Sequence, residues 1–191
     1  MDIQAHAIDN LRYIRRTMER AGSFTAVPGT GGVLMGFVAL AAWVASAGDT
    51  LGGPRWLAAW MAAAVVAVAV GVAAAAWKSR RAGLPLLSGP GRKFVAGFAP
   101  AMLAGALLTA VLFRAGEARL LPGVWMLLYG AGVVSGGSAS VRVVPLMGAC
   151  FMAAGAIGLL LPGTGSDALL AAGFGGFHII FGAVIAVKYG G

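Results

Sequence analysis

Apolar residues dominate six uncharged stretches of this chain, which polar and charged connections separate. At a rise of about 1.5 Å per residue, each stretch approaches the roughly 20 residues that cross a hydrocarbon core of about 30 Å. Polar and apolar residues do not alternate within the stretches, which disfavours a membrane β-barrel. The pattern predicts an all-α integral membrane protein, a bundle of six transmembrane helices within residues 32–191. The predicted helices are 32–47, 56–77, 94–113, 121–138, 143–161 and 168–187.

The composition also indicates a membrane protein. Of the 191 residues, 60% are hydrophobic and 10% are charged, whereas soluble domains have roughly 45–50% apolar and about 25% charged residues. The mean hydropathy is +0.89. We therefore expect the apolar stretches to lie in lipid.

An amphipathic pattern precedes the first stretch. Over residues 1–22, apolar residues recur every three or four positions while charged residues occupy other faces. We predict a cytoplasmic helix on the membrane surface, and the alternative is a docking helix for a protein partner or for a second copy of the chain. Residues 23–31, rich in Gly and Pro, are predicted to turn the chain into the bilayer. The arginines expected near anionic headgroups are Arg12, Arg15, Arg16 and Arg20.

Cations are distributed unequally between the two ends of the predicted helices. The sparser side holds Arg55, Arg114 and Arg119. By the positive-inside rule, both termini are predicted to be cytoplasmic, in the inner membrane of a bacterial cell. The same asymmetry accounts for the net charge of +8 without a nucleic-acid partner. The other eleven of the 14 cations are Arg12, Arg15, Arg16, Arg20, Lys78, Arg80, Arg81, Arg92, Lys93, Arg142 and Lys188.

Two features of the helix ends have alternative interpretations. Ala45 and Ala47 form an A-x-A pattern typical of a signal-peptidase site, but the preceding polar leader is far longer than an ordinary signal n-region, so we expect the first helix to be retained. Several aromatic residues lie near predicted helix ends, among Trp43, Trp56, Trp60, Trp77, Trp125 and Tyr189. Tryptophan in such positions is typical of anchoring at the membrane interface rather than of ligand stacking.

His178 lies within the uncharged run GGFHIIFGAVIA, and an imidazole in hydrocarbon requires a polar partner. Counted from the predicted helix starts, Tyr129 lies about 12 Å deep and His178 about 15 Å deep, on helices that run in the same direction. We therefore predict that His178 faces the bundle and hydrogen-bonds Tyr129 or a backbone carbonyl. This buried polar pair would serve helix association.

Small residues form stripes on the fourth and sixth predicted helices. Gly132 and Gly136 make a G-x-x-x-G pattern on the fourth helix, and Gly175 and Gly182 share one stripe with His178 on the sixth. Small residues let helix backbones approach closely in lipid. These four glycines are therefore predicted to lie in helix interfaces.

The passages NLRYIRRTMERAGSFTAVPG and GFHIIFGAVIAVKYGG lie near the two ends of the chain. Together they resemble a group of small, uncharacterised bacterial multi-pass membrane proteins. The resemblance spans most of the chain and implies a membrane location without implying an activity. The function must therefore be inferred from the residues themselves.

Catalytic and cofactor chemistry has little support in the sequence. Ser135 and Ser138 with His178 are similar to the serine and histidine of rhomboid-type intramembrane proteases, but these serines lie about 21–26 Å deep, out of hydrogen-bond reach of the histidine. A haem on His178 lacks a second ligand within one chain, because His6 lies in the polar leader, and only a dimer could supply a second His178 across a twofold axis. Cys150 is the single cysteine. We expect no enzymatic activity, no metal and no cofactor.

The favoured interpretation is an accessory, sensory or scaffold protein of the membrane that assembles with itself or with another protein. The alternative is a small-solute transporter or channel in which His178 titrates as a gate and Pro100 and Pro145 break their helices. Coupled carriers usually place a carboxylate within the bundle, and the six apolar stretches contain none.

Overall fold

The computed structural model describes residues 8–11, 13–14, 27–81, 83, 85–87, 89–138, 140–161 and 165–189. Five of its helices are long and apolar enough to cross a membrane, and one apolar helix is shorter. This confirms the prediction of an all-α, multi-pass membrane protein. The helices are α1 (Gly29–Ala45), α2 (Pro54–Arg81), α3 (Gly89–Arg114), α4 (Ala118–Gly137, of which Ala118–Leu120 is a 3-10 turn), α5 (Val143–Leu160) and α6 (Ser166–Tyr189). The shorter one is α1.

The beginning of α1 differs from the expectation. Pro28 is the N-cap and the helix begins at Gly29, so residues 29–31, assigned to the turn from sequence, form the first helical turn. A Cβ added at Gly29 would collide with the backbone of Ala186 in α6. Close packing on α6 therefore compensates for the low helix propensity of these glycines.

Glycines bring three pairs of helices close together. A Cβ added at Gly32 of α1 would lie 3.2 Å from Cα of Gly182 in α6. One added at Gly97 of α3 would lie 2.8 Å from the backbone nitrogen of Gly136 in α4, and one at Gly130 of α4 would lie 2.6 Å from the carbonyl oxygen of Gly148 in α5. Lipid supplies no hydrophobic drive between helices, so these close approaches provide the van der Waals contact that holds them together.

The two longest helices differ from the others in burial. Within the most apolar 18 residues, α2 has 6% and α3 has 0% buried residues, against 39% in both α5 and α6. The exposed side chains of α2 include Val65, Val68 and Val72. In a membrane protein, such faces contact lipid acyl chains or another protein.

The beginnings of α1, α3 and α5 and the ends of α2, α4 and α6 lie at one end of the bundle. Lys78, near the end of α2, donates hydrogen bonds to the carbonyls of Val27 and Tyr189, each at 3.1 Å. The other cations at this end have exposed side chains. We call this the basic end, and its exposed cations among the described residues are Arg80, Arg81, Arg92, Lys93, Arg142 and Lys188.

Candidate functional site

The candidate site is built around a π-helical segment in α6. Residues Ala171–Phe177, with the sequence AAGFGGF, form this segment, and the α-helix resumes at His178. The His178 backbone N–H bonds the Gly175 carbonyl. The His178 ring Nδ1 lies 2.9 Å from the Phe174 carbonyl oxygen. Because a carbonyl can only accept, Nδ1 carries the proton and donates to it.

The second ring nitrogen contacts the neighbouring helix. Nε2 of His178 lies 2.7 Å from the hydroxyl oxygen of Tyr129 on α4. With Nδ1 protonated, a neutral imidazole has its lone pair on Nε2, so the Tyr129 O–H donates to Nε2. The chain of hydrogen bonds runs from the Tyr129 hydroxyl through the imidazole to the Phe174 carbonyl. Both nitrogens are thus satisfied inside the protein.

Aromatic rings enclose this pair. His178 is 4% exposed and Phe151 of α5 is fully buried. The ring of Tyr129 lies 4.8 Å from that of Phe151, 5.2 Å from that of Phe174 and 5.7 Å from that of Phe98 of α3, all edge to face. Such rings exclude water and contribute packing beyond their buried area. The site is therefore an aromatic junction of α3, α4, α5 and α6 in which His178 and Phe151 are buried and Tyr129 is partly buried.

Both ring nitrogens of His178 are occupied by hydrogen bonds. A metal or haem iron would have to displace Tyr129 to reach the Nε2 lone pair. Among the described residues, no three His, Cys, Asp or Glu side chains lie together to hold a metal ion. Ser138, considered above as a nucleophile, is exposed and donates to the Ser135 carbonyl at 2.7 Å.

The glycines predicted to line helix interfaces contact two different neighbours. Gly175 and Gly182 face α1, where an added Cβ would meet Leu40 and the backbone of Gly29, respectively. Gly132 and Gly136 face α3 through Phe98 and the Phe94 carbonyl. The two glycines of the stripe on α6 thus face α1, whereas the His178 ring does not share their direction. The His178 backbone carbonyl lies on the α1 side, while its ring points to α4.

A tryptophan cluster at the opposite end of the bundle was interpreted incorrectly from sequence. Trp56 is fully buried and Trp60 is 5% exposed. Trp56 donates to the Asp167 carboxylate at 2.7 Å and stacks on Trp125, with ring centroids 5.4 Å apart. Trp56 and Trp60 thus pack inside the protein instead of anchoring it in headgroups. No local pattern links Trp56 to Asp167, because 111 positions separate them.

The indole N–H groups of Trp125 and Trp60 differ in their hydrogen bonding. Trp125 donates to the Thr109 hydroxyl at 2.8 Å, and Thr109 donates in turn to the Gly105 carbonyl at 2.7 Å within α3. The Trp60 Nε1, by contrast, is buried without a hydrogen-bond partner in the described part of the chain. An unpaired buried donor of this kind lowers stability.

The predicted surface helix lies only partly within the described residues. Residues 8–11 and 13–14 are helical, with Leu11 67% exposed and Ile14 52% exposed. Apolar side chains in such a helix remain available to lipid or to a partner. The four arginines assigned to the membrane surface, Arg12, Arg15, Arg16 and Arg20, lie outside the described residues.

Comparison of the chain with protein-family models, with curated proteins and with solved structures finds no match.

Proposed function

We propose that this protein is a non-catalytic accessory or scaffold subunit of a membrane, without a bound cofactor. The single observation that carries the proposal is the closed hydrogen bonding of His178, whose two ring nitrogens are both used within the protein. Nε2 accepts from the Tyr129 hydroxyl within the bundle, so a substrate or a metal ion reaches the imidazole lone pair only if this bond is broken. The polar centre of this bundle instead connects α4 to α6 and stabilises their packing.

The proposed site of assembly is the outer face of α2. Val65 is 71% exposed and Val68 is 64% exposed, and almost none of the apolar residues of this helix are buried. A scaffold requires a lateral surface of this kind, on which a second copy or another membrane protein packs. Tight self-packing of α1, α4, α5 and α6 through glycines supplies the rigid core behind it.

The test is the composition of particles extracted from native membranes without detergent. Two differently tagged copies are co-expressed, and we expect particles with more than one copy of the 19.1 kDa chain or a stoichiometric second protein. Val65→Trp with Val68→Trp should disrupt this assembly by changing the shape of the face. Leu160→Trp, on an 80% exposed position of α5, is the matched control. Particles that hold one copy and no partner would refute the proposal.

For the orientation, we propose that the basic end faces the cytoplasm of a bacterial-type cell, with both termini inside. The exposed cations at that end support this orientation through the positive-inside rule. A reporter that is active only in the periplasm, fused after residue 191, should remain inactive. An active reporter would contradict the proposed orientation.

The second candidate, a small-solute transporter gated by His178, makes a distinct prediction. Pro100 lies inside the continuous helix α3 and Pro145 lies in the first turn of α5, so neither proline ends its helix. Flux of neutral solutes through proteoliposomes should equal that of empty vesicles if the scaffold proposal holds. Flux that depends on pH and is lost in His178→Phe would favour the transporter.

A further inference from the structure

The connection between α2 and α3 combines exposed cations with an exposed leucine. Arg80 and Arg81 end α2, and Arg92 and Lys93 lie in the first turns of α3, all with exposed side chains. Between them Leu87 is 64% exposed in a turn. Basic side chains beside an apolar one form the arrangement that suits the boundary between headgroups and acyl chains.

An aromatic ring contacts one of these cations. The Arg81 guanidinium carbon lies 3.9 Å from the centroid of the Trp77 ring, and Trp77 is 48% exposed. Indole rings are enriched at headgroup level, and a cation over the ring face is attracted to it. The contact holds the guanidinium against an exposed indole ring, an arrangement that suits the headgroup level of a bilayer.

Negative charge is absent from the basic end of the described bundle. Within residues 27–189 the acidic residues are Asp49, Glu117 and Asp167, and all three belong to connections or helix starts at the opposite end. There Glu117 pairs with Arg119 at 3.1 Å. Within residues 27–189, the exposed cations of the basic end therefore have no carboxylate at their own end of the bundle, and Asp9, in the helical residues 8–11, lies outside this range. A cluster of like charge of this kind attracts anionic headgroups.

We propose that the basic end binds anionic phospholipids of its own bilayer. The phosphate groups contact Arg80, Arg81, Arg92 and Lys93, while Leu87 and Trp77 pack against the glycerol and upper acyl region. A soluble phosphate compound would satisfy the cations but not the exposed Leu87 and Trp77, and this favours lipid as the occupant. The inference is independent of the proposed scaffold function, because a monomer would bind lipid equally well.

The experiment measures lipid selectivity around the full-length chain in bilayers. Spin-labelled phosphatidylglycerol and phosphatidylcholine are compared by electron paramagnetic resonance, which reports the relative association constant of each lipid at the protein surface. We expect a preference for phosphatidylglycerol of at least about twofold at low salt. About 0.5 M NaCl should reduce the preference, because the Debye length falls to roughly 4 Å.

Two matched sets of substitutions show which end of the bundle causes the preference for phosphatidylglycerol. R80Q/R81Q/R92Q/K93Q should lower the preference at least about twofold, by about 1 kcal/mol or less per neutralised cation, whereas R55Q/R114Q/R119Q, which neutralises the cations of the opposite end, should leave it intact. Leu87→Ser should lower the association of both lipids at this position without a change in charge. Circular dichroism of each variant verifies that the helices are retained.

Three results would overturn the proposal. Wild-type protein without a preference between the two lipids is one, and an equal loss of preference in both charge variants is another. The third is displacement of phosphatidylglycerol by millimolar inorganic phosphate, which would assign the cations to a soluble anion. If R80Q/R81Q/R92Q/K93Q fails to fold, the salt dependence of the wild-type protein tests the proposal instead. A preference for phosphatidylglycerol that salt leaves unchanged would then contradict it.

Discussion

Replacement of Tyr129 by Phe tests the central hydrogen bond with minimal change in shape. The ring contacts with Phe98, Phe151 and Phe174 are kept, and only the hydroxyl that lies 2.7 Å from Nε2 of His178 is lost. The buried imidazole then has an unsatisfied lone pair among aromatic rings.

The expected loss follows from two measured ranges. An interhelical hydrogen bond in a membrane protein contributes about 0.6–2 kcal/mol, and a buried polar group left without a partner costs about 1–3 kcal/mol. His178 keeps its bond to the Phe174 carbonyl, so only one nitrogen is affected. We expect Tyr129→Phe to lower the free energy of unfolding by about 1–2 kcal/mol, roughly a five- to thirtyfold change in the equilibrium constant.

The assay is reversible unfolding of the full chain in bicelles, with the double-mutant cycle Tyr129→Phe and His178→Phe. If the two side chains interact, the double variant is destabilised by less than the sum of the single variants. Tyr189→Phe, near the helix end, is the control and should change stability by less than about 0.5 kcal/mol. A coupling energy near zero, or a Tyr129→Phe variant as stable as wild type, would refute the reasoning.

Three further predictions use the same unfolding measurement. Trp60→Phe removes an indole N–H that has no acceptor in the described structure and should leave stability unchanged or raised. Trp56→Phe loses a hydrogen bond to the Asp167 carboxylate and should lower the free energy of unfolding by about 1–3 kcal/mol. A larger loss of stability in Trp60→Phe than in Trp56→Phe would contradict this assignment. Gly182→Ala should cost about 1–3 kcal/mol because the added methyl group collides with the α1 backbone, while Gly176→Ala meets open space and serves as the control. Lys78→Met should cost about 1–3 kcal/mol through two lost bonds to carbonyls, and equal stability would show that those bonds do not contribute.

The helices and their medium could be predicted from sequence because both depend on local properties. A helix in lipid must pair its backbone groups within its own segment, so its approximate length follows from the run of apolar residues and the bilayer thickness. The predicted 94–113 and 168–187 thus lie within α3 and α6. Helix depth also brought Tyr129 and His178 to the same level, and in the structure their side chains are hydrogen-bonded.

The tertiary structure alone decided which faces meet. A regular helical period places Gly175, His178 and Gly182 on one stripe, but in the structure the two glycines pack against α1 while the His178 ring bonds Tyr129 of α4. The bond from Trp56 to Asp167 joins positions that no local pattern relates. Partner choice between helices is non-local: it depends on how closely two backbones approach and on which buried polar groups find each other, and neither is encoded in the period of a single segment.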